Sequence, residues 1–307
     1  MRRHLLAIAD LSIDEIRAVL DLAVDLKAAW RSGTAGTPLA GRILALLFEQ
    51  PSLRTRVSFE VAMQHLGGQG LYMSPQEVQL GRRETIPDAA RVLSRYVDAI
   101  VLRTVGHERI VELAEHASVP VINGLSDQEH PCQALADLLT VREHRGALSG
   151  LRLAWVGDGN NVCNSLMLAA AKTGMRVAVA CPPAYRPKPE VVAAAQEAAR
   201  RTGGEVVVVA DPREAVRSAD VVYTDAWISM GQERESAERR TAFAGFQVNA
   251  QLMELAGDAV VMHCLPAHRG EEISEDVLEG PDSIVWDQAE NRVHAQKAVL
   301  HRLLRGS

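Results

Sequence analysis

The sequence predicts an α/β fold in which parallel strands alternate with crossover helices. Short apolar, β-branched runs recur from Arg42 to the C-terminus, and amphipathic stretches of helical length separate them. This alternation is typical of parallel sheets flanked by helices and not of all-α or all-β folds. A polar turn at residues 143–152 divides the 307-residue chain into two parts, each long enough to bury its own core.

Ten runs are predicted to be strands, four before the polar turn and six after it. The last helix needs a surface to pack on, because Ala289, Val293, Ala295, Ala298, Val299 and Leu303 lie on one side of it. We expect a first domain at residues 1–148, joined by the C-terminal helix at 288–307, and a second domain at 149–287. The predicted strands are residues 43–48, 71–73, 99–103, 119–123, 152–157, 176–180, 205–210, 221–224, 259–264 and 283–286.

The composition argues against several classes of partner. The chain has 33 lysines and arginines against 39 acidic residues, so it lacks the basic excess that collects nucleic-acid phosphates or anionic membranes. Cys132, Cys163, Cys181 and Cys264 form no C-x-x-C pair, which disfavours a disulfide framework or a zinc ribbon. No apolar run approaches the roughly 18 to 20 residues of a membrane span, and the basic N-terminus lacks a cleavage segment. We expect a cytoplasmic protein without nucleic-acid or membrane partners.

The segment Ser52-Leu53-Arg54-Thr55-Arg56 lies between a predicted strand and a predicted helix. Ser52 is a predicted N-cap, because apolar residues at the i, i+3, i+4 and i+7 spacing of a helix face begin at Phe59. Backbone N–H groups and the positive end of the helix dipole then face the loop, where Arg54 and Arg56 add charges that suit a phosphate. A solvated helix cap with surface arginines is the alternative interpretation.

Polar residues also follow most of the other predicted strands. In open parallel sheets the carboxyl ends of the strands share the edge where ligands bind. We therefore expect these residues to converge on one crevice, placed between the two domains. They are Arg103, the segment His130-Pro131-Cys132-Gln133, Asn160 and Asn161, Asp225, and His263 with Cys264.

A dinucleotide site is a weaker interpretation of the segment that begins with Gly157-Asp158-Gly159. The third glycine of the G-x-G-x-x-G fingerprint is missing, because Val162 stands there. The next strand also ends at Cys181 and Pro182 and not at an acid that would bind a ribose. A nicotinamide-dependent dehydrogenase is therefore disfavoured.

A metal site is also disfavoured. His130, Cys132, His263 and Cys264 do not have the spacing of zinc ligands, and adjacent residues on a strand should point to opposite faces. Cys132, Cys163 and Cys181 are expected to be packed in the core. Cys264 differs, because Leu265-Pro266 leads out of its strand into a polar loop that can expose the thiol.

Asp225 begins a stretch that continues through a Ser-Met-Gly turn, Ser229 to Gly231, into a charged segment of low hydrophobicity. The pattern indicates a mobile loop with a carboxylate at its base, which would suit a cationic substrate. A flexible surface excursion is the alternative.

Taken together, these residues resemble the transcarbamoylase family, and within it the branch that acts on ornithine. The resemblance covers nearly the whole chain and rests on five motifs in order. They are Ser52-Leu53-Arg54-Thr55-Arg56, His130-Pro131-Cys132-Gln133, Asp225 with Ser229-Met230-Gly231, His263-Cys264-Leu265-Pro266, and the segment at 287–298.

The resemblance implies transfer of the carbamoyl group of carbamoyl phosphate to the δ-amine of L-ornithine, giving citrulline and phosphate in arginine metabolism, without a metal or cofactor. It also implies a homotrimer in which Gln79 reaches a neighbouring subunit's site. Carried over by position, the catalytic residues are Cys264, Arg54, Arg103, His130 and Thr55. The implied carbamoyl phosphate site comprises Ser52, Leu53, Arg54, Thr55, Gln79, Arg103, His130, Gln133, Cys264, Leu265 and Arg292, and the implied ornithine site comprises Asn161, Asp225, Ser229 and Met230.

Two points qualify what the resemblance implies. Leu53 stands where the family usually has threonine, so we expect this position to contribute mainly its backbone N–H. The substrate choice favours ornithine over aspartate, because His263-Cys264 stands where aspartate's extra carboxylate would need basic residues. Putrescine and acetylornithine stay open as alternatives, although the Ser-Met-Gly loop favours ornithine over putrescine, which lacks the groups that the loop is expected to bind. A catalytically idle subunit is disfavoured by the intact Arg54, Thr55, Arg103, His130 and Cys264.

Overall fold

The computed structural model of the chain describes residues 4–228 and 233–305. The chain divides into two compact units, residues 1–139 with 290–307 and residues 140–289. We refer to them as unit 1 and unit 2. The domain limits expected at residues 148 and 288 stay predictions.

The described residues form nine strands and thirteen α-helices. The strands are β1 Ile43–Phe48, β2 Gln69–Met73, β3 Ala99–Arg103, β4 Val121–Leu125, β5 Arg152–Val156, β6 Arg176–Ala180, β7 Glu205–Val209, β8 Val221–Thr224 and β9 Val260–His263. The helices are α1 Ile13–Arg31, α2 Leu53–His65, α3 Pro75–Val78, α4 Ile86–Leu93, α5 His107–His116, α6 Pro131–Arg145, α7 Asn161–Lys172, α8 Pro189–Thr202, α9 Pro212–Val216, α10 Ser236–Ala242, α11 Ala250–Ala256, α12 Glu275–Leu278 and α13 Val285–Leu304.

Unit 1 contains a four-stranded parallel sheet in the order β2-β1-β3-β4. Strands β1, β3 and β4 are mainly apolar and buried because helices cover both faces of a parallel sheet, whereas the edge strand β2 is partly exposed. On one face Ala45, Leu47, Ile100 and Leu102 pack with the apolar sides of α4 and α5. This core fixes the carboxyl ends of β1 and β3, where polar residues follow.

Unit 2 contains a five-stranded parallel sheet in the order β7-β6-β5-β8-β9. Val156, Val222 and Val261 from β5, β8 and β9 share a core with Phe243 and Ile273 from the segments that follow β8 and β9. The predicted α/β class, with a parallel sheet in each part of the chain, is therefore confirmed.

Two strand predictions need correction. The predicted strand at 283–286 is wrong: Ser283 forms only an isolated bridge to Val261, and α13 starts at Val285. The N–H of Gln288 already donates to the carbonyl of Ile284, so this apolar run turns directly into a helix. The strand predicted at 119–123 is shifted to β4, because Pro120 has no N–H to donate to a ladder.

The C-terminal helix returns to the first part of the chain, as predicted. Residues of α13 from Glu290 onward belong to unit 1. Ala295, Ala298, Val299 and Leu303, four of the apolar residues that predicted a packing surface, are buried. No helix within residues 4–228 and 233–305 is both long enough and apolar enough to cross a membrane.

Candidate active site

The strand order of unit 1 places a topological switch point at the carboxyl ends of β1 and β3. The chain proceeds outward from β1 to β2 on one side and to β3 and β4 on the other. Ligands of open α/β sheets bind where the order reverses in this way. Phe48, the last residue of β1, pairs with Arg103, the last residue of β3, so the loops that follow them start side by side.

Ser52 begins the helix that follows β1. Its backbone is extended, and its Oγ accepts a hydrogen bond of 3.3 Å from the N–H of Thr55, which confirms the predicted N-cap. The apolar side of α2 packs inward through Phe59, Ala62 and Met63. Burial of that side directs the N-terminus of α2, with its N–H groups and positive dipole end, toward the loop after β1.

His130 lies where three guanidinium groups gather. The imidazole is buried, and burial is the main reason that its pKa lies well below the usual value. The positive charges of Arg292, Arg103 and Arg54, in that order, lower the pKa further. His130 is therefore a neutral imidazole in a cationic cluster, a setting that favours an anionic ligand.

Arg292 is held in this cluster by two side chains of unit 1. Its Nη1 donates to Oε1 of Gln133 at 2.6 Å, and its Nη2 donates to Oγ1 of Thr55 at 3.1 Å. The amide of Gln133 donates in turn to Oδ1 of Asp137, a fully buried acid, at 2.8 Å. The sequence predictions missed Asp137. The usable signal was an acid four residues, or one helical turn, after Gln133 in a predominantly apolar helix.

Arg56 points elsewhere. Its Nε donates to Glu60 at 3.3 Å, and its guanidinium lies 3.8 Å from the centre of the Tyr72 ring. Two residues of difference on a helix turn a side chain by about 200°, so Arg54 and Arg56 face different surroundings. Leu53, the position that departs from the family pattern, has a largely exposed side chain.

Gln79 follows the short helix after β2, with a left-handed backbone at a φ of 34°. Its amide donates to the carbonyl of Gln76 at 2.8 Å. Within the part of the chain that the structure describes, the side chain of Gln79 bonds to Gln76 and not to the Arg54 and His130 cluster of its own chain. Its expected place in a neighbouring subunit's site therefore stays a prediction.

Unit 2 has an equivalent switch point between β5 and β8, since β6 and β7 lie on one side and β9 on the other. Asp225 follows β8 and is buried. Its Oδ2 accepts from the amide of Asn160 at 2.7 Å, and its Oδ1 accepts from the thiol of Cys264 at 3.0 Å. One carboxylate thus connects the loops after β5, β8 and β9.

Asn160 is one of the polar residues predicted to follow the strands, but the family pattern assigned substrate binding to Asn161 beside it and not to Asn160. Its Oδ1 accepts from the N–H groups of Val162 and Cys163, both at 3.0 Å, so Asn160 is the N-cap of α7. The same side chain caps the helix with its oxygen and orients Asp225 with its nitrogen. Asn161 is the first residue of α7 and is half-buried.

His263, the last residue of β9, fixes the loop that carries Cys264 and Leu265. Its Nδ1 accepts from the N–H of Leu265 at 2.8 Å, so the ring proton lies on Nε2, which donates to Glu272 at 3.0 Å. The same carboxylate oxygen of Glu272 accepts from the N–H of His268 at 2.6 Å. Bonding to His263 and His268 lowers the pKa of Glu272, although burial opposes it.

The expectation that His263 and Cys264 point to opposite faces is wrong. Potential ligand atoms of Asp225, His263 and Cys264 all lie within 4.8 Å of one another, because β9 ends at His263 and strand alternation no longer governs Cys264. Both ring nitrogens of His263 are engaged by Leu265 and Glu272. A metal would have to displace one of these bonds, so this group of donors does not support a metal centre.

The four thiols differ in burial as expected. Cys132, Cys163 and Cys181 are buried, whereas Cys264 is half-buried. Burial raises the pKa of Cys132 to about 12, against a smaller lowering by Arg292, and it also raises the pKa values of Cys163 and Cys181. Of these four thiols, that of Cys264 lies beside Asp225, a residue predicted to bind the substrate.

A buried ion pair supports the loop after β5. Arg239 of α10 pairs with Asp158, and its Nε donates to the carbonyl of Trp227 at 2.5 Å. Burial raises the pKa of Asp158 to about 6, despite the nearby charge of Arg239. Ser229 and Met230, predicted to bind the amino acid, lie outside the described residues.

Comparison with known proteins identifies both parts of the chain. Residues 3–143 match the aspartate/ornithine carbamoyltransferase carbamoyl-P binding domain, and residues 149–303 match the Asp/Orn binding domain of the same family. The ornithine carbamoyltransferase of Methanoculleus marisnigri is 57% identical over 100% of this chain and 98% of the relative. That of Acidothermus cellulolyticus is 60% identical over 99% of this chain and 97% of the relative.

A solved structure agrees. The ornithine carbamoyltransferase from Pyrococcus furiosus superposes with a TM-score of 0.97 at 52% identity, covering 99% of this chain and 97% of that chain. The match of both family domains and the full-length similarity lead to one conclusion: the chain belongs to the aspartate/ornithine carbamoyltransferase family.

Proposed function

We propose that this chain is an ornithine carbamoyltransferase, which transfers the carbamoyl group of carbamoyl phosphate to the δ-amine of L-ornithine and releases citrulline and phosphate. The observation that carries the proposal is the neutral, buried His130 surrounded by the charges of Arg292, Arg103 and Arg54. Relatives 54% to 60% identical over nearly the full length bear that name, which supports ornithine as the acceptor.

In this proposal unit 1 binds carbamoyl phosphate at the carboxyl ends of β1 and β3. The N-terminus of α2 and the guanidinium groups hold the phosphate, because charge-assisted hydrogen bonds to phosphate are short and strong. His130 and Thr55 donate to the carbamoyl oxygen, and Gln133 supports Arg292. The full set is Ser52, Leu53, Arg54, Thr55, Gln79, Arg103, His130, Gln133, Cys264, Leu265 and Arg292.

The amino-acid substrate is assigned to unit 2. Asp225 lies in a buried setting that suits the ammonium groups of ornithine, and Asn160 orients it. Asn161, Ser229 and Met230 complete the proposed set that holds the α-amino and carboxylate groups.

The chemical step is attack of the neutral δ-amine on the carbamoyl carbon. A C–N bond forms, and a tetrahedral intermediate places negative charge on the former carbonyl oxygen. The attacking nitrogen then gives up its extra proton to the departing phosphate as the C–O bond to phosphate breaks. His130 and Thr55 stabilise that oxygen, and the arginines stabilise the charge that grows on the departing phosphate. Neither part of the step requires a covalent intermediate with the enzyme.

The amine must lose a proton before it attacks. An alkylamine has a pKa of about 10.4, so the neutral form at pH 7 costs about 4 to 5 kcal/mol. Desolvation reduces this cost because burial disfavours the ammonium. In the proposed mechanism Asp225 and Cys264, 3.0 Å apart, position the amine and accept or relay its proton.

We propose a homotrimer in the cytoplasm that serves arginine biosynthesis. Leu53, Val57 and Leu71 have side chains that are 76%, 45% and 51% exposed, an unusual amount of apolar surface at the start of α2 and on the edge strand β2. Association there would cover this surface and bring Gln79 toward a neighbouring chain. Light scattering on the purified protein measures the assembly, and a monomer at working concentrations would contradict it.

The function is tested by measuring ureido product formed from carbamoyl phosphate with four acceptors in parallel: ornithine, putrescine, N-acetylornithine and aspartate. We expect ornithine to be preferred by at least about 100-fold in kcat/KM, because the other amines leave buried polar groups of the site unpaired or misplace a charge. Preference for another acceptor would redirect the proposal within the family. Absence of transfer to all four would reject it.

A further inference from the structure

Glu49 and Arg109 form an ion pair outside the set of residues assigned to the substrates. Nε of Arg109 donates to Oε2 of Glu49 at 3.1 Å, and Nη2 donates to Oε1 at 2.7 Å, so the contact is bidentate. The same Nη2 donates to the carbonyl of Leu80 at 2.7 Å. Thr104 donates its hydroxyl hydrogen to Oε2 of Glu49.

These contacts join the three loops that leave the carboxyl edge of the unit 1 sheet beside the switch point. Glu49 is the first residue after β1 and stands three positions before Ser52. Thr104 is the first residue after β3 and follows Arg103 directly. Leu80 lies in the connection after β2 and follows Gln79.

The arrangement requires a guanidinium group. Its fork satisfies both oxygens of Glu49 while one nitrogen also reaches a backbone carbonyl, and a lysine ammonium has no equivalent planar geometry. Leu80 is held from the other side, because its buried side chain shares a core with Ile110 and Leu113 of α5, the helix that carries Arg109. Gly81 also adjoins the guanidinium, because a Cβ added there would lie 3.4 Å from Nη1 of Arg109, an ordinary van der Waals contact.

We propose that Arg109 is a positioning residue that sets the relative placement of the phosphate-binding loop, Arg103 and the loop carrying Gln79. The inference rests on the proposed function, since it concerns the same carbamoyl phosphate site. In the proposed trimer Arg109 has two effects. Through Glu49 and Thr104 it organises its own chain's site, and through Leu80 it places the Gln79 that serves a neighbour.

The test compares Arg109→Leu with Arg42→Leu, each made in the full chain. Arg42 pairs with Asp98 at 2.5 Å, at the amino ends of the same two strands. Both substitutions remove one partly exposed ion pair from one sheet, so they should lower the thermal midpoint similarly. Only Arg109→Leu should raise KM for carbamoyl phosphate, on the order of 10-fold to 100-fold, because small misplacements of binding groups have large kinetic effects.

Two further variants separate positioning from general damage. Arg109→Lys keeps the charge without the fork, so its KM for carbamoyl phosphate should stay close to that of Arg109→Leu. Glu49→Gln keeps an acceptor for Thr104 and weakens the contact to Arg109, and it gives a second measurement if Arg109→Leu does not fold. KM for ornithine at saturating carbamoyl phosphate should change less than threefold in every variant.

An Arg109→Leu enzyme with the native KM for carbamoyl phosphate overturns the inference. If Arg109→Leu is unfolded, a native KM in Glu49→Gln overturns it instead. A native KM in Arg109→Lys also overturns it. An equal rise in Arg42→Leu also overturns it, because the effect would then be loss of stability. A native enzyme that transfers no carbamoyl group would instead refute the proposed function.

Mixed trimers test the effect on the neighbouring site. Arg109→Leu chains are reassembled with an excess of Arg54→Ala chains, which are expected to be inactive themselves but carry an intact Gln79 loop. Activity per Arg109→Leu chain should rise severalfold relative to the pure variant, because its neighbours now supply a correctly placed Gln79. An unchanged activity, or a chain that does not form trimers, overturns this part of the inference.

Discussion

Arg54 and Arg56 are both arginines on the first turn of α2, yet they have different surroundings and different expected roles. Arg54 contributes to the positive potential that keeps His130 neutral. Arg56 is occupied by Glu60 and Tyr72. The sequence motif places both near an anion, and only the direction of each side chain separates them.

Arg54→Ala should reduce turnover by about 100-fold to 1,000-fold, because it removes a cation from charge that develops in the transition state. Arg56→Ala is the matched control two residues away and should stay within about threefold of the native enzyme. Steady-state kinetics with carbamoyl phosphate and ornithine measure both. Near-native turnover in Arg54→Ala, or an equal loss in Arg56→Ala, would contradict the assignment.

Cys264→Ala should raise KM for ornithine and slow turnover, each by about tenfold. The thiol donates to Asp225 at 3.0 Å, so its loss leaves that carboxylate less well oriented. Cys264→Ser keeps a donor and should retain more activity than the alanine variant. A silent alanine variant would remove the role proposed for Cys264.

At the scale of helices and strands, local chemistry was predictable where one side chain decides the structure. The Ser52 cap follows from a hydroxyl placed before an amphipathic run, and the structure confirms it. The error at residues 283–286 has the opposite cause. A short apolar run fits a strand or a buried helix start equally well, and only the tertiary partners of Ile284 and Val285 decide between them.

The predictions about the site also divide into those that local sequence could support and those that it could not. Strand ends were enough to predict the positions of three polar residues, because the carboxyl edge of a parallel sheet gathers such residues. The structure places Arg103 at the end of β3, His130 after β4 and Asp225 after β8, and their roles in the site stay predictions. The contacts of Asn160 with Asp225 and of Arg109 with Glu49 were not predictable, since they join residues 65 and 60 positions apart in the sequence. Their roles depend on which loops meet, which single-sequence patterns do not contain.

Asn160 links a helix cap to the site, and this predicts a separation of two effects. Asn160→Ala should lower stability by about 1 kcal/mol through loss of the α7 cap and raise KM for ornithine by about tenfold through loss of the bond to Asp225. Asn249→Ala is the control, because Asn249 caps α11 by accepting from the N–H of Leu252 at 3.0 Å.

Chemical denaturation and kinetics on the two asparagine variants separate these effects. The control should lose the same stability and keep its KM for ornithine. If both variants change KM equally, the effect arises from weakened helices and not from the orientation of Asp225.

Across the whole molecule, the two units titrate differently. His65, His107, His130, His294 and His301 all belong to unit 1, and burial lowers the pKa of each, that of His294 to about 4. In unit 2 burial raises the pKa of Asp158 to about 6. As the pH falls through 6, these groups should therefore lower the stability of unit 1 and raise that of unit 2.

The sign follows from proton binding. A histidine that stays neutral when folded takes up its proton only on unfolding, so its stabilising effect is lost as pH falls below 6.5. Such a group lowers the free energy of unfolding by about 1.4 kcal/mol at pH 5.5 if it is fully neutral in the folded protein. Asp158 has the opposite effect, because its folded form binds a proton more readily than the unfolded chain and gains stability as pH falls through 6.

Backbone hydrogen exchange at pH 7.5 and 5.5, corrected for intrinsic rates, measures this difference. Strands β1 and β3 of unit 1 should lose protection at the lower pH, while β5 and β8 of unit 2 should keep or gain it. His294→Gln should reduce the loss in unit 1, since it removes one group that must stay neutral. Equal loss in both units, or a loss confined to unit 2, would show that these buried groups do not govern the acid response.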